Sequence, residues 1–330
     1  MESRFLCVIN SHMLLIRYIF IIFIFFIAFF GPYKAFLESK PVSDEIFIDV
    51  ENGSSMYKSF TKIYKNNFLN KIFFKIYIFN NSIESFQAGE YMILDKNFTE
   101  IINAFNKGAT HTRSITFNEG MNKYDIQNLI QNSYLINDCS FLKCLKTDYP
   151  FLEGIIFPDT YYYKKGMKAS EIIIKSHARL DTLLDKLWAQ KPLTNNLNNK
   201  YDALILASII EKEAGNHQEK TLIAGVFLKR IDLGMKLQAD PTIIYGLLPD
   251  FDGDIKKSDI LDKNNIYNTY MIKGLPPSPI SLASTQSIEA SILSLPGEYL
   301  FFVANSPTSH HFSKTYEEHL SMIEKVGLNK

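Results

Sequence analysis

The stretch LILASIIEKEAGN, residues 204–216, is an apolar run that ends abruptly in two carboxylates and a glycine. Its first half is apolar at nearly every position, which predicts a helix buried on almost every face. Glu213 lies four and seven positions after Ile209 and Leu206, so on a helix it sits over their apolar stripe. A carboxyl group held against apolar surface resists ionisation and can donate a proton near neutral pH. Glu213 is therefore our candidate general acid.

The second carboxylate of this stretch, Glu211, is expected to play a different part. Two positions apart on a helix, Glu211 and Glu213 point to different sides, so they do not form a pair across one bond. We place Glu211 among the substrate-binding candidates, without a proton-transfer role. The plain alternative for both residues is a solvated helix end, although a carboxylate there opposes the helix dipole.

Length and composition limit the possible functions. At 330 residues the chain is long enough for two or three small domains. The 35 basic residues balance the 35 acidic ones, so the chain has no overall field that would attract nucleic acid. We therefore expect no nucleic-acid partner.

Residues 13–33 form a predicted transmembrane anchor. Arg17 is the only charged residue in that range, and about twenty apolar residues are enough to span a bilayer core. A cleaved signal peptide is the alternative, but no small-x-small cleavage site follows the segment. The numbers of positive charges on its two sides are nearly equal and do not decide its orientation. The short head (residues 1–12) and the long tail favour a cytoplasmic head and an exported tail.

Residues 44–150 predict a small α+β region with a weak internal repeat. Two segments, one from residue 46 and one from residue 114 to 130, each show alternating apolar residues, an Asn/Gly turn and then an apolar period near 3.6. A further strand and helix are predicted over residues 86–105. Such a region could bind glycan or could simply hold the next domain away from the membrane. Its two cysteines, Cys139 and Cys144, are close enough to pair if the region is exported, and two free buried thiols are the alternative.

Residues 151–330 carry the denser motifs. Helices are predicted from about Ser170 to Gln190 and through Ile223 to Leu233, with Gly234 ending the second. Polar side chains then cluster in two short segments. They are Gln238, Asp240, Thr242 and Tyr245, followed by Tyr267, Asn268 and Tyr270. Amide, carboxylate and phenol groups beside aromatic faces suit the binding of sugars. For Asp240, which precedes a proline, capping a helix is an equal alternative.

The chain also lacks several patterns of catalytic residues. It has no His-Glu-x-x-His metal motif, no Gly-x-Ser-x-Gly elbow and no Walker loop. Three histidines cluster near the C-terminus, His310, His311 and His319, but no metal-ligand pattern accompanies them. We therefore expect structural or groove-edge roles for them. We expect no cofactor and no bound metal.

Several motifs resemble the YceG-like (MltG) family of membrane-anchored endolytic murein transglycosylases. In family order these are EGIIFPDTY (153–161), ASIIEKE (207–213), LQADPTIIYG (237–246), YNTY (267–270), GLPP (274–277) and His310-x-Phe312. The resemblance implies a LysM-like N-terminal subdomain, a mainly helical catalytic domain with a lysozyme-like helix, and Glu213 as the catalytic glutamate. One departure is visible, because Ser309 stands where the family usually has glycine.

The fold class predicted from these observations is α+β, and the predicted function is cleavage of the MurNAc–GlcNAc β-1,4 bond inside peptidoglycan. A hydrolase normally places two carboxylates around the bond, whereas a lytic transglycosylase needs one acid/base because a sugar hydroxyl attacks. Two alternatives stay open: an inactive peptidoglycan-binding scaffold, and a muramidase that uses water. The proposed binding set is Glu211, Gln238, Asp240, Thr242, Tyr245, Asn268, Tyr270 and His310. We expect substitution of Asp240 to leave the alkaline limb of the pH profile in place.

The expected surroundings follow from the same resemblance and from the anchor. We expect the chain to cross the bacterial inner membrane once, with the catalytic domain in the periplasm. The expected substrate is the glycan strands of peptidoglycan. Peptidoglycan synthases are expected as partners, with a role in terminating nascent strands.

Overall fold

The computed structural model describes residues 2–42, 45–306 and 308–327, which form two compact units, residues 1–112 and 113–330. Met1 of the predicted head and Asp44, the predicted start of the α+β region, lie outside this description. The chain is a mixture of helices and two-stranded sheets, as the α+β prediction requires.

The first unit begins with a long helix, α1 (Glu2–Leu37). Among the described residues, its segment Leu15–Leu37 is long and apolar enough to cross a membrane, with a mean hydropathy of 2.3. The end of α1 instead packs into the unit, since Phe36 is buried with its ring 4.4 Å from that of Phe98. The predicted anchor, residues 13–33, thus lies within one continuous helix whose last turn belongs to a folded core.

The rest of the first unit packs around aromatic side chains, with Phe60, Phe98 and Phe105 fully buried. Its elements are β1 (Phe47–Val50), α2 (Met56–Ile63), α3 (Phe68–Asn80), β2 (Gly89–Met92) and α4 (Phe98–Lys107). Strand β1 pairs antiparallel with β2. The strand predicted at residues 46–50 with the helix after it, and the strand and helix predicted over residues 86–105, are confirmed, whereas α3 was not predicted.

The second unit contains the remaining elements and a separate core. They are β3 (Arg113–Thr116), α5 (Lys123–Gln131), β4 (Thr160–Tyr163), α6 (Ala169–Trp188), α7 (Lys200–Glu213), α8 (Lys220–Asp232), α9 (Asp240–Leu247), α10 (Lys257–Leu261), α11 (Thr285–Leu293), β5 (Phe301–Ser306), β6 (Ser309–Ser313) and α12 (Tyr316–Lys325). Strands β3 and β4 pair antiparallel, and so do β5 and β6. Helix α7 is the centre of this unit, packed against α8, α9 and α11.

The boundary between the units differs from the predicted one at residue 150. It falls after Thr112, because β3 pairs with β4 and because Ile115 and Ile126 belong to the core of the second unit. The two strand–helix segments of the predicted repeat therefore lie in different units. Local pattern identified both segments, but strand pairing across 44 residues decided where the second one belongs.

Two cysteines close a short loop in the second unit. Cys139 and Cys144 form a disulfide, so the alternative of two free buried thiols is wrong. Cys139 is buried in the core, and the loop between the cysteines includes Phe141 and Leu142, both at positive φ. Neither residue is a glycine, so the crosslink helps to hold a backbone conformation that the sequence disfavours.

Candidate active site

Helix α7 carries Glu213 at its last position. Asn199 caps the start of the helix by accepting a hydrogen bond from the Asp202 amide (2.9 Å). The eight residues from Ala203 to Ile210 are all buried, which confirms the predicted all-round burial. Because the buried run stops three residues before the end of the helix, Glu213 emerges from the core at the edge of a cavity of about 360 Å³.

The surroundings of Glu213 favour its protonated form. Burial is the main reason that the pKa of this carboxyl rises to about 8, and the nearby negative charge of Asp240 raises it further, against the opposing effect of Arg230. Among the described residues, the Glu213 side chain makes no hydrogen bond or ion pair. It is therefore a protonatable group that faces a cavity and is free to exchange a proton with a bound molecule.

Arg230, on α8, is the cation of this cavity. Its side chain is only 6% exposed, and it donates hydrogen bonds to the carbonyl oxygens of Leu237 (2.7 Å) and Leu300 (2.8 Å). Burial lowers the pKa of the guanidinium, but an arginine remains charged at any physiological pH. Because these carbonyls fix its position, Arg230 supplies a fixed positive charge near Glu213.

Gln238 and Asp240 approach the cavity from the segment that leads into α9. Gln238 has a φ of +54°, an uncommon left-handed conformation for a residue with a side chain. Asp240 accepts a hydrogen bond from the Tyr270 hydroxyl (2.6 Å). It does not cap α9, whose N-cap is Ala239 and has no side-chain cap bond. The capping alternative for Asp240 is therefore wrong, and its carboxylate is directed to the cavity instead.

An aromatic wall from the C-terminal elements completes the cavity. It consists of Phe301 and Phe302 on β5 with Tyr316 and His319 on α12. The His319 ring stacks on Phe301 with a centroid distance of 5.2 Å, and its buried Nδ1 has no hydrogen-bond partner among the residues that the structure describes. Burial, and to a lesser degree Arg230, lowers the pKa of His319. The groove-edge alternative suggested for this histidine agrees with its place at the cavity.

Four of the nine predicted site residues meet in this cavity: Glu213, Gln238, Asp240 and Tyr270. The other five lie elsewhere. Thr242 and Asn268 are fully buried and bond to their own framework, Thr242 to Thr269 and Asn268 to the carbonyl oxygens of residues 259, 260 and 262. We therefore leave these two out of the binding set.

Glu211 also has a structural environment. Its carboxylate forms an ion pair with Lys220 (3.0 Å) and accepts hydrogen bonds from the Ser284 amide (2.9 Å) and the Ser287 hydroxyl (2.6 Å). Burial on its own would raise the pKa of Glu211, but the bonds from Ser284, Ser287 and Lys220 leave it below its ordinary value. Glu211 ties α7 to α11 and has no oxygen left for a substrate.

The last two predicted residues occupy separate places. The His310 ring pairs with Glu219 (2.8 Å), which holds β6 against the segment before α8. The Tyr245 hydroxyl donates a hydrogen bond to Glu153 (2.8 Å) at the base of a different cavity. Arg230, Phe301 and Tyr316 line the Glu213 cavity but were not predicted as site residues.

The relationship of this chain to known proteins follows from its match to a family model. The model of the YceG-like family matches residues 48–325, most of the chain. The chain belongs to the YceG-like family. Named relatives agree: the endolytic murein transglycosylase of Bacillus subtilis (strain 168) is 29% identical over 328 residues, which is 90% of this chain and 89% of that protein.

Two further relatives of this YceG-like chain are informative. The endolytic murein transglycosylase of Streptococcus pneumoniae (strain D39) is 31% identical over 175 residues, 51% of this chain and 31% of that longer protein. The crystal structure of a putative YceG-like protein from Listeria monocytogenes is 27% identical, covers 84% of this chain and 98% of its own, and has a TM-score of 0.55.

Proposed function

We propose that this protein is an endolytic lytic transglycosylase that cleaves the MurNAc–GlcNAc β-1,4 bond within peptidoglycan strands. The observation that carries the proposal is Glu213, a carboxyl group with a pKa of about 8 at the edge of a cavity, without a hydrogen-bond partner in the described part of the chain. Relatives named endolytic murein transglycosylase support the same activity. The arrangement supplies an acid that is still protonated at neutral pH.

In this mechanism Glu213 acts twice. Its proton passes to the glycosidic oxygen as the bond from that oxygen to C1 of the muramic sugar breaks. The C6 hydroxyl of the same sugar then attacks C1, and the Glu213 carboxylate accepts the hydroxyl proton. The glycan is divided into one chain with a free hydroxyl end and one with a 1,6-anhydro end, and Glu213 is again protonated.

The other cavity residues would assist this cycle. The Asp240 charge keeps Glu213 protonated, and a carboxylate near the reacting carbon also stabilises positive charge that develops on the sugar. The Tyr270 hydroxyl fixes the Asp240 carboxylate, and the exposed Gln238 amide can bond to sugar hydroxyl or acetamido groups. The exposed ring of Tyr316 offers apolar surface against which a sugar ring can lie.

The remaining parts of the chain suit an enzyme of the cell wall. We propose that α1 anchors the protein in the inner membrane with the residues after it in the periplasm, where a disulfide such as Cys139–Cys144 is stable. We also propose that the first unit is LysM-like and binds glycan, and that the second is a lysozyme-like catalytic domain. Peptidoglycan synthases are the proposed partners at strand termination.

The test compares matched glutamate variants of the full chain in detergent. Glu213→Gln keeps the size of the side chain but has no transferable proton, so it should lose essentially all cleavage of purified sacculi while remaining folded. Glu289→Gln, on the exposed face of α11, is the control and should keep wild-type activity. Absence of cleavage by the wild-type protein would favour the scaffold, and full activity of Glu213→Gln would overturn the assignment.

A further inference from the structure

The second unit contains another cavity, larger than that of Glu213, at about 450 Å³. Its base holds Glu153, which is 1% exposed, with the Tyr245 hydroxyl donating to its carboxylate. The Lys123 and Gly154 amides also donate to this carboxylate, at 3.1 Å and 3.0 Å. Glu153 is therefore satisfied from inside the protein, and the open face of the cavity is left to other residues.

That open face is aromatic. Phe141 and Phe151 are 37% and 42% exposed, and the ring of Tyr124 contacts that of Phe141 with centroids 5.9 Å apart. The Tyr267 ring lies behind them, with its hydroxyl bonded to Ser278 (2.8 Å). Exposed aromatic faces around a polar base suit a ligand with an apolar face and polar edges.

The rim of the cavity is positively charged. The Lys123 ammonium lies 5.2 Å from the centre of the Tyr124 ring. Lys143 is exposed, and among the described residues it makes no ion pair. Since Glu153 is the only acidic residue of the lining and is engaged at the base, the rim presents two ammonium groups without a compensating carboxylate. A ligand complementary to this rim carries negative charge.

The disulfide positions part of this wall. Phe141 and Lys143 both lie within the loop that Cys139 and Cys144 close. Gln127 accepts a hydrogen bond from the Phe141 amide (2.8 Å), and Phe141 keeps a φ of +48°. The backbone that carries Phe141 and Lys143 is thus held in place before a ligand arrives, which lowers the entropy lost on binding.

The two cavities share structural elements. Helix α9 places Asp240 in the Glu213 cavity and Tyr245 in this one, about 7.5 Å further along the helix axis. The segment after α10 likewise places Tyr270 in the Glu213 cavity and Tyr267 in this one. Both cavities are therefore built on the same two segments of the chain, although Asp240 and Tyr245 lie about 140° apart around the axis of α9.

We propose that this cavity is a second ligand site, which binds an acidic, peptide-bearing sugar of peptidoglycan. The proposal rests on the proposed function for its choice of polymer. The aromatic faces take the sugar ring, and Lys123 and Lys143 take the carboxylates of the lactyl-peptide stem. Such a site makes the enzyme prefer strands whose peptides are present.

The test measures binding to the inactive Glu213→Gln full chain in detergent, by calorimetry at low salt. The probes are the disaccharide GlcNAc–MurNAc with its peptide stem and the neutral disaccharide of two N-acetylglucosamines. We expect the acidic probe to bind more tightly, and Lys143→Glu to weaken it roughly tenfold. Lys175→Glu, an exposed charge reversal on α6, is the matched control and should change little.

Two aromatic variants give an independent measurement. Phe141→Ala and Phe151→Ala, on different segments of the wall, should each weaken binding of the acidic probe with the melting midpoint retained. Equal affinity for both probes, or equal effects of Lys143→Glu and Lys175→Glu, would overturn the second site. Failure of the proposed function is a separate result, because it appears as missing anhydro products from the wild-type enzyme whatever the binding data are.

Discussion

Replacement of Asp240 by asparagine should move the alkaline limb of the cleavage rate to lower pH. Asp240 is the second cause, after burial, that raises the pKa of Glu213 to about 8. Asparagine has nearly the same shape, and its side-chain oxygen can still accept the hydrogen bond from Tyr270. The substitution therefore removes one negative charge with little change in geometry.

The size of the shift follows from electrostatics. A like charge several ångströms away, at an effective dielectric constant of about 20, is worth on the order of 1 to 3 kcal/mol. That corresponds to roughly one or two pKa units. Because Glu213 must be protonated to act, activity is lost as pH rises through its pKa. Without the Asp240 charge this loss should occur near pH 6 to 7 instead of about 8.

The assay is the initial rate of release of soluble fragments from purified sacculi between pH 5 and pH 10. Wild type, Asp240→Asn and a control, Asp254→Asn, are compared, the control being an exposed aspartate outside the cavity lining. A limb that stays in place in Asp240→Asn would refute the electrostatic coupling. This prediction differs from the sequence-based expectation of an unmoved limb, because the charge of Asp240 raises the pKa of Glu213. Loss of activity at every pH would instead indicate that Asp240 is a chemical partner.

Three other outcomes are expected from single substitutions. Glu213→Gln should melt at a higher temperature than wild type at pH 9 and at a similar temperature at pH 5. The reason is that the pKa of Glu213 is raised in the folded protein, so the stability of the wild type falls as pH rises from about 4.5 to about 8. Glu211→Gln should lower the free energy of unfolding by about 3 kcal/mol, because it leaves the buried Lys220 ammonium without its partner; urea titration measures this loss. Gln238→Gly should raise that free energy by about 0.5 to 1 kcal/mol, because glycine accepts the positive φ without strain, but it should reduce kcat/KM on glycan.

The sequence predicted the central helix of the site well. An uninterrupted apolar run can be satisfied only by burial on all sides, so both α7 and the position of Glu213 at its edge followed from the pattern. Arg230 was missed because the local sequence pattern around it is that of a solvent-exposed helix end. A Lys-Arg pair in the last turn of a helix is favoured by the dipole in solvent, and nothing local reveals that one of the two turns inward.

Polar residues in the motifs were assigned too readily to the site. Thr242 and Asn268 lie close in sequence to Asp240 and Tyr270, and chemical type alone does not tell which side chains face the cavity. In the fold, Thr242 and Asn268 satisfy buried backbone and hydroxyl groups, a common need where loops cross a core. The second cavity was not predicted as one site, because its lining comes from segments more than a hundred residues apart.

The most direct test of the central claim is the mass of the new glycan ends after digestion of sacculi by the wild-type enzyme in water enriched in ¹⁸O. Attack by the muramic hydroxyl predicts 1,6-anhydro ends that carry no ¹⁸O, and Glu213→Gln should yield none of them. Reducing ends that have gained one ¹⁸O atom would show that water attacks, and would contradict the account.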